Sequence, residues 1–172
     1  MPAEHQIRGL GPIVLNVNNL AGTERVLTAV MNMRRVRDYA APDADAQVHV
    51  FAMGEGGLAA ELHVVEQKDL PLARRGAGGV HHVAFRTPDA TQYHAWTARL
   101  TELGIRNSGE IDRFYFQSLY FREPNGILFE IATDGPGFAT DEPMETLGEK
   151  LALPPFLESR RAAIEAGLKP IG

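Results

Sequence analysis

The chain of 172 residues contains no cysteine, which excludes a disulfide scaffold, a thiolate zinc site and a cysteine nucleophile. Any metal must therefore be held by histidine and carboxylate. No block of consecutive basic residues occurs, and 17 Lys+Arg stand against 22 Asp+Glu for a net charge of −5. The chain thus lacks the clustered Lys and Arg on which nucleic-acid binding rests, and no nucleic-acid partner is expected. No window approaches the roughly 18 apolar residues of a membrane span. Residues 1–9, with Glu4, His5 and Arg8, hold no apolar core of signal-peptide length. The expectation is a cytoplasmic protein with no membrane partner. At 44% hydrophobic content the chain is too apolar for disorder, so it reads as one compact unit or two small modules sharing a core.

An internal repeat organises it. The segment Ile13-Val-Leu-Asn-Val-Asn-Asn-Leu20 lies over Val83-Ala-Phe-Arg-Thr-Pro-Asp-Ala90 at an offset of 70 residues. In each copy a short alternating apolar run meets a turn, and an amphipathic stretch follows. The first stretch is Ala21 to Met33, with Val26, Leu27, Val30 and Met33. The second is Asp89 to Leu103, with Tyr93, Trp96, Leu100 and Leu103, and both have helical spacing. Asp89 suits an N-cap and Gly104 a C-terminal cap. Strands are predicted over Ala46 to Met53 and Leu58 to Val65 in the first copy, and over Phe114 to Arg122 and Gly126 to Thr133 in the second. Glu61 falls at the repeat position of Glu130, with one residue of slippage. The reading is an α+β fold of two βαβββ modules, residues 1–66 and 80–134, joined by a linker over 67–79. A tail over 135–172 is expected to carry a helix from Pro154-Pro155 through Ala166, packed on the body by Phe156, Leu157, Ala163, Ile164 and Leu168.

Chemistry concentrates in the second module. Of the pair His81-His82, strand alternation places only His82 on the face of Ala84 and Arg86. Glu130 sits mid-strand among Leu128, Phe129, Ile131 and Ala132, where a carboxylate is costly unless it has a partner. A histidine and a carboxylate on neighbouring strands make up two-thirds of a 2-His-1-carboxylate iron site. The structural alternative is a hydrogen-bonded His pair at a strand edge and a Glu130 that meets Arg86 or Arg122.

Three segments bear a family likeness: Gly79-Val-His-His-Val-Ala-Phe-Arg86, Asp112-Arg-Phe-Tyr-Phe-Gln-Ser-Leu-Tyr-Phe-Arg-Glu-Pro-Asn-Gly126 and Ile127-Leu-Phe-Glu-Ile-Ala-Thr-Asp-Gly-Pro-Gly-Phe138. Together they resemble the glyoxalase-like ring-cleaving dioxygenases of the vicinal oxygen chelate superfamily, and more narrowly the C-terminal half of bacterial enzymes that open hydroquinone-type rings. The resemblance implies an Fe(II)-dependent extradiol-type dioxygenase acting with O2 on hydroquinone or catechol-like aromatics. It implies His82 and Glu130 as metal ligands, His81 beside them, and Arg113 and Tyr120 near the bound ring. Arg113 and Tyr120 have opposite strand parity, so both reach one pocket only if Arg113 precedes the strand or a bulge intervenes. His81 and Tyr120 are the candidates for proton handling. Manganese, zinc or nickel would suit the same ligand types, and zinc or nickel would favour isomerase or lyase chemistry.

The chain departs from the family at one position. Its third ligand is a His on the first strand of the first module, and here the repeat puts Pro12 opposite His82. Three readings follow: a partner half supplies the missing His; Glu61, with His63 on the same strand face, completes the set as the modules pair; or the chain is a metal-free, drug-binding dimer of the resistance type with a cleft near Trp96, Phe116 and Tyr120. The competing reading of Glu61 and His63 puts them on a solvated or inter-module face. The resemblance also implies a homodimer.

Overall fold

A computed structural model of the chain describes residues 2–6, 9–42, 45–74 and 76–169. The order of elements is β1 (Ile13–Val17), α1 (Leu20–Arg25), β2 (Arg34–Ala40), β3 (Gln47–Ala52) and β4 (Glu61–Glu66), then β5 (Val83–Thr87), α2 (Ala90–Glu102), β6 (Ile111–Asp112), β7 (Gln117–Arg122) and β8 (Leu128–Thr133). Two short helices, α3 (Pro155–Glu158) and α4 (Arg161–Gly167), follow in the tail. Each copy of the repeat is thus a βαβββ module.

The two four-stranded sheets have the same topology, β1-β4-β3-β2 and β5-β8-β7-β6. In each, the first and last strands of the module run parallel and the remaining pairs antiparallel. Strand alternation sorts the side chains of the second sheet. Val83, Phe85, Leu119, Phe121, Phe129 and Ile131 are buried together with Tyr93 and Leu100 of α2, while His82, Ala84, Tyr120 and Glu130 take the opposite face. One buried cluster runs through both modules, from Leu15, Leu27 and Val30 to Phe85, Tyr93 and Phe129, with Trp96 packed against it.

Local signals decide where the elements begin and end. The Asp89 carboxylate accepts from the backbone N–H of Gln92 at 2.8 Å, closing the N-terminus of α2. Gly104, at φ +66°, ends it with a left-handed turn that glycine adopts without steric cost. The first helical stretch is shorter than its periodicity predicts. After α1 it widens to a π-turn over Val26–Val30, where the Met31 N–H reaches back to the Val26 carbonyl, and Asn32 at φ +57° stops it. The chain then forms β2, an edge strand that the sequence reading did not pick out. Its residues Arg34, Arg35, Arg37 and Asp38 carry charge on an exposed strand and so lack an alternating apolar pattern.

Two predicted strands start late. Leu58–Ala60 form a 3-10 turn before β4, and Phe114, at φ +71°, sits in the turn that precedes β7. The tail holds two helices rather than one, broken at Ser159-Arg160. Its expected apolar face is only partly used, because Phe156, Ala163 and Leu168 remain exposed while Leu157 and Ile164 are half-buried. No helix among the described residues is long and apolar enough to cross a membrane.

Candidate active site

The open face of the second sheet brings His82 and Glu130 together. Register places Ala84 and Tyr120 on either side of Glu130, on β5 and β7. His82, two residues before Ala84, overhangs the same row. Its Nε2 lies 2.7 Å from Glu130 Oε2. The carboxylate is almost fully buried, with the side chain 3% exposed against 34% for His82. The other oxygen, Oε1, accepts a hydrogen bond from the Ser118 hydroxyl at 2.5 Å. Both carboxylate oxygens therefore have partners, which is what a carboxylate at this depth requires.

Neighbouring groups complete the site. His81 Nδ1 lies 2.9 Å from His82 Nδ1. If Nε2–H of a neutral His82 donates to Glu130, its Nδ1 accepts from His81, so the two contacts together set the His82 tautomer. The Tyr120 ring meets the His82 ring edge-on with centroids 6.0 Å apart. The guanidinium of Arg113 stands 5.3 Å from the centre of the Tyr120 ring, within cation–π range. Arg113 reaches Tyr120 because it precedes β7. Its N–H donates to the Phe116 carbonyl, and the Asp112 carboxylate accepts from the Phe114 N–H, closing a turn that re-aims the chain. Arg86 and Arg122 do not pair with Glu130: Arg86 binds Asp134 and Arg122 binds the Gly126 carbonyl. A cavity of about 210 Å3 adjoins His82 at the seam of the modules, with Val14, Arg74, His81, Arg122 and Leu128 among its lining.

Glu61 stands apart from this pair. Arg37 clamps both its oxygens at 2.7 Å, and His63 Nε2 lies 3.2 Å from Oε2. The Arg37 guanidinium, and secondarily His63, hold the Glu61 carboxyl down to about 2. The pairing register also corrects the repeat alignment. Ile13 pairs with Leu62 as Val83 pairs with Phe129, so the counterpart of Glu130 is His63, not Glu61. His63 in turn has Tyr39 Oη 2.9 Å from its Nδ1. Among the described residues no group of three or more His, Asp and Glu side chains is placed to hold one ion.

An imidazole nitrogen and a carboxylate oxygen converge on an open face, a set that fits a divalent first-row metal as two ligands of three. Ser118 escaped the sequence reading, although its parity with Tyr120 on β7 was the signal that puts it beside the Glu130 carboxylate. His94 and His49 are taken up by Glu110 and Asp38.

The model of the Glyoxalase/Bleomycin resistance protein/Dioxygenase superfamily matches residues 9–131. The chain belongs to that superfamily. It is 48% identical over 171 residues to a Bacillus subtilis (strain 168) protein named as ring-cleaving dioxygenase MhqA, covering 99% of this chain and 54% of that protein. It is 37% identical over 117 residues to the chlorohydroquinone/hydroquinone 1,2-dioxygenase of Sphingobium indicum, covering 66% of this chain and 36% of the enzyme. Among solved structures, a Bacillus subtilis protein described as a dioxygenase superimposes with a TM-score of 0.80 at 35% identity, over 96% of this chain and 51% of its own. The chain spans about half the length of these two Bacillus relatives.

Proposed function

We propose that the chain is the metal-holding portion of a ring-cleaving dioxygenase that acts with O2 on hydroquinone- or catechol-like aromatics. The observation that carries this reading is the convergence of His82 Nε2 and Glu130 Oε2 at 2.7 Å on an open sheet face beside Tyr120 and Arg113. The names of the relatives supply the reaction class.

His82 and Glu130 would hold the metal, with Fe(II) the ion that suits this chemistry. When bound, a redox-active ion of this kind gives O2 a route to react with an aromatic ring. The protein's own residues do the rest. Tyr120 presents a phenol whose Oη hydrogen-bonds a ring hydroxyl while staying neutral. Arg113 holds the Tyr120 ring from one side and offers a cation to a substrate phenolate. His81 sets the ring orientation of His82 and accepts or returns a proton at Nδ1.

The third protein ligand comes from outside this module pair, from a second copy or from a companion half, because Pro12 occupies the repeat position of His82. The test is the iron content of anaerobically reconstituted protein, alone and with candidate companion halves, measured beside its native mass. We expect iron to be retained only in an assembly larger than the monomer, and to be lost in His82→Ala and in Glu130→Ala. Manganese, zinc and nickel loaded in parallel show which ion supports ring opening. Iron held equally well by the two variants would overturn the assignment.

A further inference from the structure

We propose that Ser118 is a positioning residue that fixes Glu130 as a one-oxygen ligand. The inference rests on the metal reading of His82 and Glu130 and goes beyond it, to a residue that touches neither metal nor substrate. Ser118 is fully buried on β7, two register steps along the sheet from the Tyr120–Glu130 pair and so on the same face. Its hydroxyl donates to Glu130 Oε1 at 2.5 Å, the shorter of the two contacts that the carboxylate makes. With Oε1 occupied, Oε2 is the oxygen turned toward His82 and the open face. A carboxylate free to rotate would present either oxygen, or both, and would lose orientational entropy on binding. One locked by Ser118 has already lost it.

The serine is itself held in place. Its backbone carbonyl accepts a hydrogen bond from the phenol of the buried Tyr93 at 2.7 Å, and that phenol also accepts from the Ile111 N–H at 3.1 Å. Helix α2 thus sets the position of β7, and β7 sets the carboxylate. On the other side, the Tyr120 hydroxyl lies 3.4 Å from Ser118 Oγ. A hydroxyl both donates and accepts, so Ser118 can give its proton to Glu130 while taking a hydrogen bond from Tyr120. One small side chain then orients both the ligand and the phenol beside it. Alanine at this position would leave Oε1 without its donor in a buried place, and threonine would keep the donor.

The experiment is a Co(II) titration of the whole chain in the assembly that retains iron, followed by visible absorption, for the parent, Ser118→Ala and Ser118→Thr, with thermal melts of the metal-free proteins. We expect Ser118→Ala to weaken Co(II) binding by about 10- to 100-fold, the usual cost of removing a partner of a ligand, and Ser118→Thr to stay near the parent. In a Glu130→Ala background Ser118→Ala should cause no further loss. A serine that serves only the fold would lower the metal-free melting temperature and leave Co(II) affinity unchanged. That result overturns the proposal. A parent that takes up no Co(II) either as its own assembly or with a companion half overturns the metal reading itself and this inference with it, and is told apart because it shows before any substitution is made.

Discussion

Glu61 and Glu130 are both carboxylates on the final strand of a module, yet their surroundings give them different work. Glu130 faces one imidazole and one hydroxyl, neither of them a fixed cation, and in the proposed reading it turns Oε2 to the metal. Glu61 is held by a two-pronged guanidinium clamp from Arg37, one charge-assisted bond to each oxygen. Its carboxyl is lowered from the usual 4.5 to about 2. A carboxyl with a depressed folded-state pKa stabilises the fold above its unfolded value, and that stabilisation disappears as pH falls through the folded one. Glu61→Gln is therefore expected to be less stable than the parent at neutral pH and to show a shallower fall in stability between about pH 4.5 and 2, where the Glu61 carboxyl titrates. Denaturant unfolding across that range checks it. Arg37 and His63 are the groups facing this carboxylate, with Tyr39 bonded to the far side of His63, and parallel curves for the two proteins would remove Glu61 from the acid transition.

Among the elements, α2 has its ends most plainly written in its residues. Asp89 caps it, Gly104 closes it, and Tyr93 and Leu100 at helical spacing form its buried stripe. Asp89→Ala is expected to cost about 1 kcal/mol, read by denaturant unfolding, and to raise hydrogen exchange in the first turn of the helix. Because Tyr93 on that helix holds the Ser118 carbonyl, the cap lies at one end of a chain of contacts leading to Glu130. Strand β2 shows the opposite case. Its arginines and aspartate lie along an exposed edge of the sheet, and charge of that kind erases the alternation by which a strand is recognised. The start of β7 was equally hidden. A positive φ at Phe114 is a property of the folded turn and not of phenylalanine, and it is this turn that brings Arg113 over Tyr120 in spite of their parity.

At the scale of the molecule, the two modules are latched through buried polar groups. Glu123 accepts hydrogen bonds from the Thr23 hydroxyl at 2.8 Å, the Asn125 N–H at 2.8 Å and the Ile127 N–H at 3.1 Å. Asn125 Oδ1 accepts from the N–H groups of Asn18 and Asn19, at 3.1 and 2.9 Å. Thus the turn between β7 and β8 of the second module grips the start of α1 in the first. A side chain on Gly22 of α1 would press on Pro124 of that turn, since a Cβ there would come within 3.1 Å of Pro124 Cβ. Arg99 of α2 reaches across to the carbonyls of Ala29 and Val30, each at 2.7 Å. Glu123→Ala should lower unfolding free energy by about 3 kcal/mol, since it leaves several buried donors without an acceptor. Hydrogen exchange should rise at both α1 and the 123–127 turn. A rise confined to the turn would mean the modules hold together without this latch.

Much of this was legible in the chain alone. Apolar periodicity and turn residues recur along the sequence, so the two βαβββ modules and the α+β fold follow from it, and the ordered motifs around His82, Tyr120 and Glu130 point to the superfamily. Pro12 is likewise a fact of sequence, and it already shows that the first strand offers no donor opposite His82. What the tertiary structure alone decided is which groups face one another. Strand register, set by hydrogen bonds between segments far apart in the chain, exchanged Glu61 for His63 as the counterpart of Glu130. The same register set Ser118 against the carboxylate and left Arg37 to take Glu61. A sequence carries the pattern within each strand, but the register between strands is settled by the core and the turns acting together, and the chemistry of this face depends on that register.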